Sequence, residues 1–158
     1  GPQLSGQTVV VLGGSAGIGL ETARLARAEG ADVIITGRNP ERLEHAARDV
    51  GAAGSAAFDA TDLDRLTQFF ADLPGPIDHV LGTGSGPYYA PLAELDFDEV
   101  RRDLDTHILL PVQVAREDEV ERSRHELAAD AREMAEEEPE RRVVIGEPSG
   151  VPPITMVM

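Results

Sequence analysis

Thr8-Val9-Val10-Val11-Leu12-Gly13-Gly14-Ser15-Ala16-Gly17-Ile18-Gly19 joins a β-rich apolar run to glycines at 13, 17 and 19. The run Thr8–Leu12 suits a strand buried on both faces, and the stretch Gly17–Glu29 suits a helix. Glycines at such a junction let the backbone turn sharply and let a pyrophosphate come close to it. The helix aims its free N–H groups and positive dipole end at those phosphates. A tight strand-to-helix turn with no ligand uses the same spacing, so the motif alone leaves both readings open.

The pattern continues outward from this junction. Short apolar runs at Asp32–Thr36 and Asp78–Leu81, with a weaker one at Ser55–Phe58, alternate with helix-like stretches at Pro40–Val50, Asp62–Leu73 and Asp96–Arg116. Strand and helix in units of about 25–30 residues predict a parallel sheet with helices on both faces. Gly30 stands where a helix-ending glycine is expected, and Asn39-Pro40 opens the second helix. Thr61 or Asp62 can cap the third, and Pro74-Gly75-Pro76 stops it.

Beyond Arg116 the composition shifts. Glu117–Arg142 carries eleven acids and five arginines. Val120, Leu127, Ala131 and Met134 leave one narrow apolar stripe on an acidic helix, Glu117–Glu138. Arg142–Ile145 reads as a fifth strand, and Ile154–Met158 is a short β-prone end.

The whole chain has 158 residues, 14 basic and 29 acidic, for a formal net charge of −15, and every basic residue is arginine. The absence of lysine and cysteine excludes a Schiff-base or P-loop lysine, a thiol nucleophile, a disulfide and a cysteine zinc site. No metal site is expected. The acidity disfavours nucleic acid or an anionic membrane as partner. No apolar run approaches the ~20 residues of a membrane span, and no signal peptide is visible, so a soluble cytoplasmic protein is expected.

Gly13-Gly14-Ser15-Ala16-Gly17-Ile18-Gly19 resembles the glycine loop of the short-chain dehydrogenase/reductase family, with Leu12 where a threonine usually stands. Further resemblances follow in order over residues 7–116. Gly37-Arg38-Asn39 is similar to the family's NADP-type ending of the second strand. Phe58-Asp59-Ala60-Thr61-Asp62 resembles its adenine-contacting pair, and Gly82-Thr83-Gly84-Ser85 fills the slot of its NNAG motif, with both asparagines replaced. The resemblance implies cofactor contacts at Gly13, Ser15, Ala16, Gly17, Ile18, Gly19, Arg38, Asn39, Asp59, Ala60, Gly82 and Thr83. Charge supports NADP(H) over NAD(H). An acid at the end of the second strand would repel a 2′-phosphate, whereas the Arg38 guanidinium binds one and stacks on adenine. Ser15 can donate to the same phosphate. A plain surface arginine is the alternative.

The family's reductases work through Ser, Tyr and Lys, the last two spaced YxxxK, with a helical Asn. The only tyrosines are Tyr88 and Tyr89, with Leu92 and Ala93 four residues on, and the chain ends where the helix bearing YxxxK is expected. The family's asparagine position holds His107, and Ser149 stands near the place of the serine. His107 reads as a satisfied core histidine or as an acid–base group. Tyr88 and Tyr89 line a nicotinamide or substrate pocket, or pack the loop. Glu147 reads as a general base or a solvated turn residue. The catalytic residues therefore stay unassigned, with His107, Tyr88 and Ser149 as candidates.

The expected fold is α/β, a Rossmann-like open parallel sheet ordered 3-2-1-4-5 with helices on both faces, plus the acidic helix. It forms one nucleotide-binding domain over residues 1–158, with 139–158 as fifth strand and tail. Apolar surface beside strands four and five needs cover, so a homodimer or larger assembly is expected, with residues 117–158 making it. Two functions stay open: an NADP(H)-dependent oxidoreductase acting on an unidentified small molecule, and a non-redox nucleotide-binding or scaffold protein.

Overall fold

The computed structural model describes residues 3–84 and 86–137. The chain divides into two compact units, Gly1–Arg122 and Ser123–Met158. In the first, strands β1 (Thr8–Leu12), β2 (Asp32–Gly37), β3 (Gly54–Ala57) and β4 (His79–Gly82) form one parallel sheet in the order β3-β2-β1-β4. Helices α1 (Gly17–Ala28), α2 (Pro40–Val50) and α3 (Leu63–Ala71) are the crossovers between successive strands. This is the expected Rossmann-like architecture. The fifth strand and the tail lie outside the described residues.

Val9–Leu12 of β1 and Val33–Ile35 of β2 are apolar and buried because both sheet faces are covered. Val9, Val11, Val33 and Ile35 face α1 and α2, joined by Ala23, Ala26, Leu43 and Ala46. Val10, Leu12 and Ile34 face the other side, where Leu66, Phe69, Phe70 and Ile77 pack, with Leu110 and Val114 at its margin. Alternation along each strand thus fills two cores from one sheet.

The helix ends follow their local chemistry. The Asn39 side chain accepts from Arg42 N–H at 2.9 Å, and Asp62 accepts from Arg65 N–H at 3.1 Å. Asp62, not Thr61, is therefore the cap. Gly30 (φ +90°) ends α1 in a Schellman pair, Gly30 N–H to Arg27 O and Ala31 N–H to Ala26 O, both 3.1 Å. Only glycine takes that left-handed position at little cost.

One correction concerns the last helices. The sequence predicts one helix over Asp96–Arg116 followed by a separate acidic helix. Instead α4 (Phe97–Leu104) runs into a π-helical turn at Asp105–Leu109, and α5 (Leu110–Glu137) continues without a break. Leu110 N–H donates back to Asp105 O, a span of five residues. Pro111 explains the turn: it has no N–H for the His107 carbonyl, and its ring crowds that oxygen. The predicted stripe is also displaced. Val120, Leu127 and Met134 are exposed, whereas Glu117 and Glu121 are 7% and 5% exposed. The burial of Glu117 is tolerated because Thr67 Oγ1 donates to its Oε1 at 3.1 Å and Gln113 Nε2 donates to the same oxygen.

Candidate nucleotide-binding site

Register brings the predicted residues to one edge. Leu12 lies opposite both Thr36 and Gly82, and Gly37 lies opposite Ala57. Gly13, Arg38, Asp59 and Thr83 therefore leave the sheet at its carboxyl edge, where open α/β sheets hold their ligands.

The loop between β1 and α1 is glycine-built for distinct reasons. Gly13 has φ +86°, and a Cβ there would stand 2.5 Å from the Thr83 carbonyl oxygen. A Cβ on Gly19 would stand 2.3 Å from the Gly13 carbonyl oxygen. Gly17 (φ +56°) differs, since a Cβ on it would meet nothing within 4 Å. Behind the loop Ser15 is buried, and a Cβ on Gly37 would come within 2.8 Å of its hydroxyl oxygen. The missing side chain at Gly37 thus lets Ser15 seat beside the start of Arg38.

α1 begins unlike its neighbours. Asn39, Asp62 and Asp96 cap α2, α3 and α4 with side-chain oxygens. Ala16 caps α1 with none, and the first turn of α1 holds no acid. The first N–H groups of α1 and their partial positive charge are therefore left for a ligand or water. Ile18 stands 79% exposed beside them.

Around this loop the predicted contacts stand as follows. Arg38 is exposed, and its guanidinium makes no hydrogen bond or ion pair among the described residues. Asn39 spends its side-chain oxygen on the α2 cap. Asp59 Oδ1 accepts from Thr61 N–H at 3.0 Å and from the Thr61 hydroxyl at 2.7 Å. Those two bonds, with the charge of Arg38 behind them, hold the Asp59 carboxyl below its ordinary range. Ala60 is half-buried and Gly82 exposed. The Thr83 hydroxyl lies against the carbonyls of Leu12 and Gly13.

The catalytic candidates separate. His107 is no core histidine, which corrects one of its two readings: it sits in the π turn with its side chain 38% exposed. Its Nδ1 lies 3.0 Å from the Asp103 carbonyl and 3.2 Å from Asp103 Oδ1. Tyr88 packs the loop after β4: its N–H donates to Asp103 Oδ1 at 3.1 Å, and its hydroxyl oxygen accepts from Asp96 N–H at 3.1 Å. Tyr89 is 84% exposed. Ser149 and Glu147 lie outside the described residues. Sequence reasoning missed Asp103, which joins the loop to the helix; the four-residue step from Asp103 to His107 was its one visible signal. Among the described residues no three His, Asp or Glu side chains gather as a metal site.

Comparison with known proteins agrees with this geometry. The sequence model of the short chain dehydrogenase family matches residues 7–118. Gluconate 5-dehydrogenase of Gluconobacter oxydans is 37% identical over 109 residues, 65% of this chain and 41% of that enzyme. A citronellol catabolism dehydrogenase from Pseudomonas aeruginosa superimposes with TM-score 0.66 at 31% identity, covering 74% of this chain and 51% of the other. A short-chain type dehydrogenase/reductase from Mycobacterium ulcerans gives TM-score 0.68 at 26% identity, covering 75% and 47%. The chain spans about half the length of these relatives. The family's sequence pattern covers well more than half of the chain, and the glycine loop and parallel sheet stand with it: this chain belongs to the short-chain dehydrogenase family.

Proposed function

We propose that the chain is the cofactor-binding part of an NADP(H)-dependent oxidoreductase of this family. The observation that carries the reading is the uncapped start of α1 facing the open space at Gly17. A dinucleotide pyrophosphate suits that cradle, held by N–H groups of residues 16–19, with the exposed Ile18 beside it. Arg38, with Ser15 behind it, would take the 2′-phosphate of the adenine ribose, because an exposed guanidinium binds phosphate through paired N–H donors. Asp59 and Ala60 would border the adenine, and Gly82 the nearer ribose. The bound nicotinamide supplies or accepts a hydride.

Proton transfer is not assigned to a residue of this chain. The sequence holds no lysine, and the Tyr88 hydroxyl oxygen already serves the Asp96 N–H. The second reading is nucleotide binding without redox turnover. NADPH oxidation measured against a panel of carbonyl compounds separates the two. We further infer a homodimer or larger assembly, supported by Leu104, Ile108 and Val112, which are exposed at four-residue spacing along α4, the π turn and α5. No helix among the described residues is long and apolar enough to cross a membrane.

The direct test is calorimetric titration with NADPH and NADH. The chain is expected to prefer NADPH, and Arg38→Asp is expected to lose about tenfold or more of that preference, since a charge-assisted phosphate bond contributes roughly 1.5–3 kcal/mol. An unchanged ratio would remove Arg38 from the ribose. Failure to bind either nucleotide would defeat the proposal.

A further inference from the structure

Thr83 is where β4 meets the glycine loop, and its polar partners are main-chain carbonyls. Its N–H donates to Leu12 O at 2.9 Å. Its hydroxyl lies 3.2 Å from that same carbonyl and 3.1 Å from the Gly13 carbonyl. A threonine hydroxyl has one proton, so the last carbonyl of β1 and the first of the loop share it. Leu12 has its N–H bond from Thr83 in any case. Gly13 O is the group for which the hydroxyl matters.

The steric evidence points to the same carbonyl. A Cβ on Gly13 would stand 2.5 Å from both the hydroxyl and carbonyl oxygens of Thr83. A Cβ on Gly19 would stand 2.8 Å from the Thr83 hydroxyl and 2.3 Å from Gly13 O. The Thr83 hydroxyl thus fills the space that two glycines leave empty, and Gly13 O is held between the first turn of α1 and that hydroxyl. The Leu12 side chain belongs to the core on its sheet face, so it offers the loop no hydroxyl of its own.

We propose that Thr83 is a positioning residue whose hydroxyl clamps the Gly13 carbonyl to β4 and so fixes the direction of the loop's N–H groups, rather than a group that touches nucleotide. The donor is spent on main chain, and a loop that must offer several N–H groups at once gains affinity from being held in place beforehand. This inference rests on the reading of the loop as a nucleotide site.

Thr83→Val keeps the shape and removes the donor; Thr83→Ser keeps the donor. Hydrogen exchange of the amides from Gly13 to Gly19, measured without nucleotide, reads the clamp directly, and calorimetry with NADPH reads its consequence. Thr83→Val is expected to speed loop exchange about five- to tenfold, with exchange at Val9–Val11 and Val33–Ile35 unchanged, and to weaken NADPH binding by a similar factor. Thr83→Ser is expected to restore both. Lost affinity with unchanged loop exchange would make Thr83 a direct contact and overturn the proposal. Faster exchange throughout the sheet would make it a merely structural residue and overturn it equally, as would a valine variant identical to wild type. If the wild-type chain binds no NADPH, the nucleotide reading fails, and the exchange comparison still decides the clamp.

Discussion

Two glycines of the loop are required for opposite reasons, and an alanine at each separates them. At Gly19 the new Cβ would stand 2.3 Å from the Gly13 carbonyl oxygen. That atom is main chain and cannot rotate away, so the loop itself must shift. Overpacking of this kind costs roughly 1–3 kcal/mol or more. At Gly17 the Cβ would enter open space, with nothing within 4 Å. There the cost is the backbone alone: an L-residue at φ +56° loses about 1–2 kcal/mol. A smaller unfolded-state entropy returns roughly 0.4–1 kcal/mol of it. Gly17→Ala should therefore destabilise by about 1 kcal/mol, a fall of roughly 2–4 °C in Tm for a chain of this size. Its methyl, however, stands where we place the pyrophosphate. Displacing one charge-assisted bond there should weaken NADPH about tenfold or more. Thermal melts and calorimetry on the two variants check this: Gly17→Ala loses ligand more than stability, and Gly19→Ala loses stability first. Wild-type NADPH affinity in Gly17→Ala would put the phosphates elsewhere. Equal Tm values for the two variants would refute the steric argument.

The remaining expectations are narrower. Asp59, held below its ordinary pKa by the N–H and hydroxyl of Thr61 and then by the charge of Arg38, gives stability that is present above its unfolded pKa and lost as pH falls through the folded one. Urea unfolding of Asp59→Asn should accordingly show a shallower decline between about pH 5 and pH 2 than wild type, and parallel declines would contradict the assignment. Tyr88→Phe removes the oxygen that accepts from Asp96 N–H. It should cost about 0.5–1 kcal/mol in chemical denaturation and leave NADPH affinity as it was. A tenfold loss of affinity would instead bring the phenol into the cofactor site.

How much of the fold was legible depended on how local its causes were. β1 and β2 read clearly because each is covered on both faces, so every residue from Val9 to Leu12 and from Val33 to Ile35 is apolar and buried. α2 read to the residue because Asn39 and Pro40 mark its start with chemistry that acts within one turn; Gly51, in the left-handed conformation, ends it. β3 and β4 each shifted by one residue, Ser55–Phe58 becoming Gly54–Ala57 and Asp78–Leu81 becoming His79–Gly82. Their limits are set by pairing with β2 and β1, and both are only partly buried, so no apolar run marks them. The π turn was signalled after all, by Pro111. Its cause is the missing N–H four residues beyond the distorted carbonyl, and a pattern of apolar spacing does not register an absent donor.

The candidate site divides along the same line. The placing of Gly13, Gly17, Gly19 and Arg38 at one edge was legible because it follows from backbone freedom and from their position at strand ends. Glu117 was not: an acid in an acidic stretch reads as solvated, and its burial depends on Thr67, fifty residues earlier in the chain. Thr83 shows the limit most clearly. Resemblance placed it beside the cofactor, yet its hydroxyl is engaged some seventy residues back in sequence, at the carbonyls of Leu12 and Gly13. The glycine loop is therefore only half of the device that shapes it. The β1 side supplies residues without side chains, β4 supplies the hydroxyl that fills the space they leave, and parallel pairing of Leu12 with Gly82 sets the one against the other. A change of register there would open the loop while leaving every glycine in place.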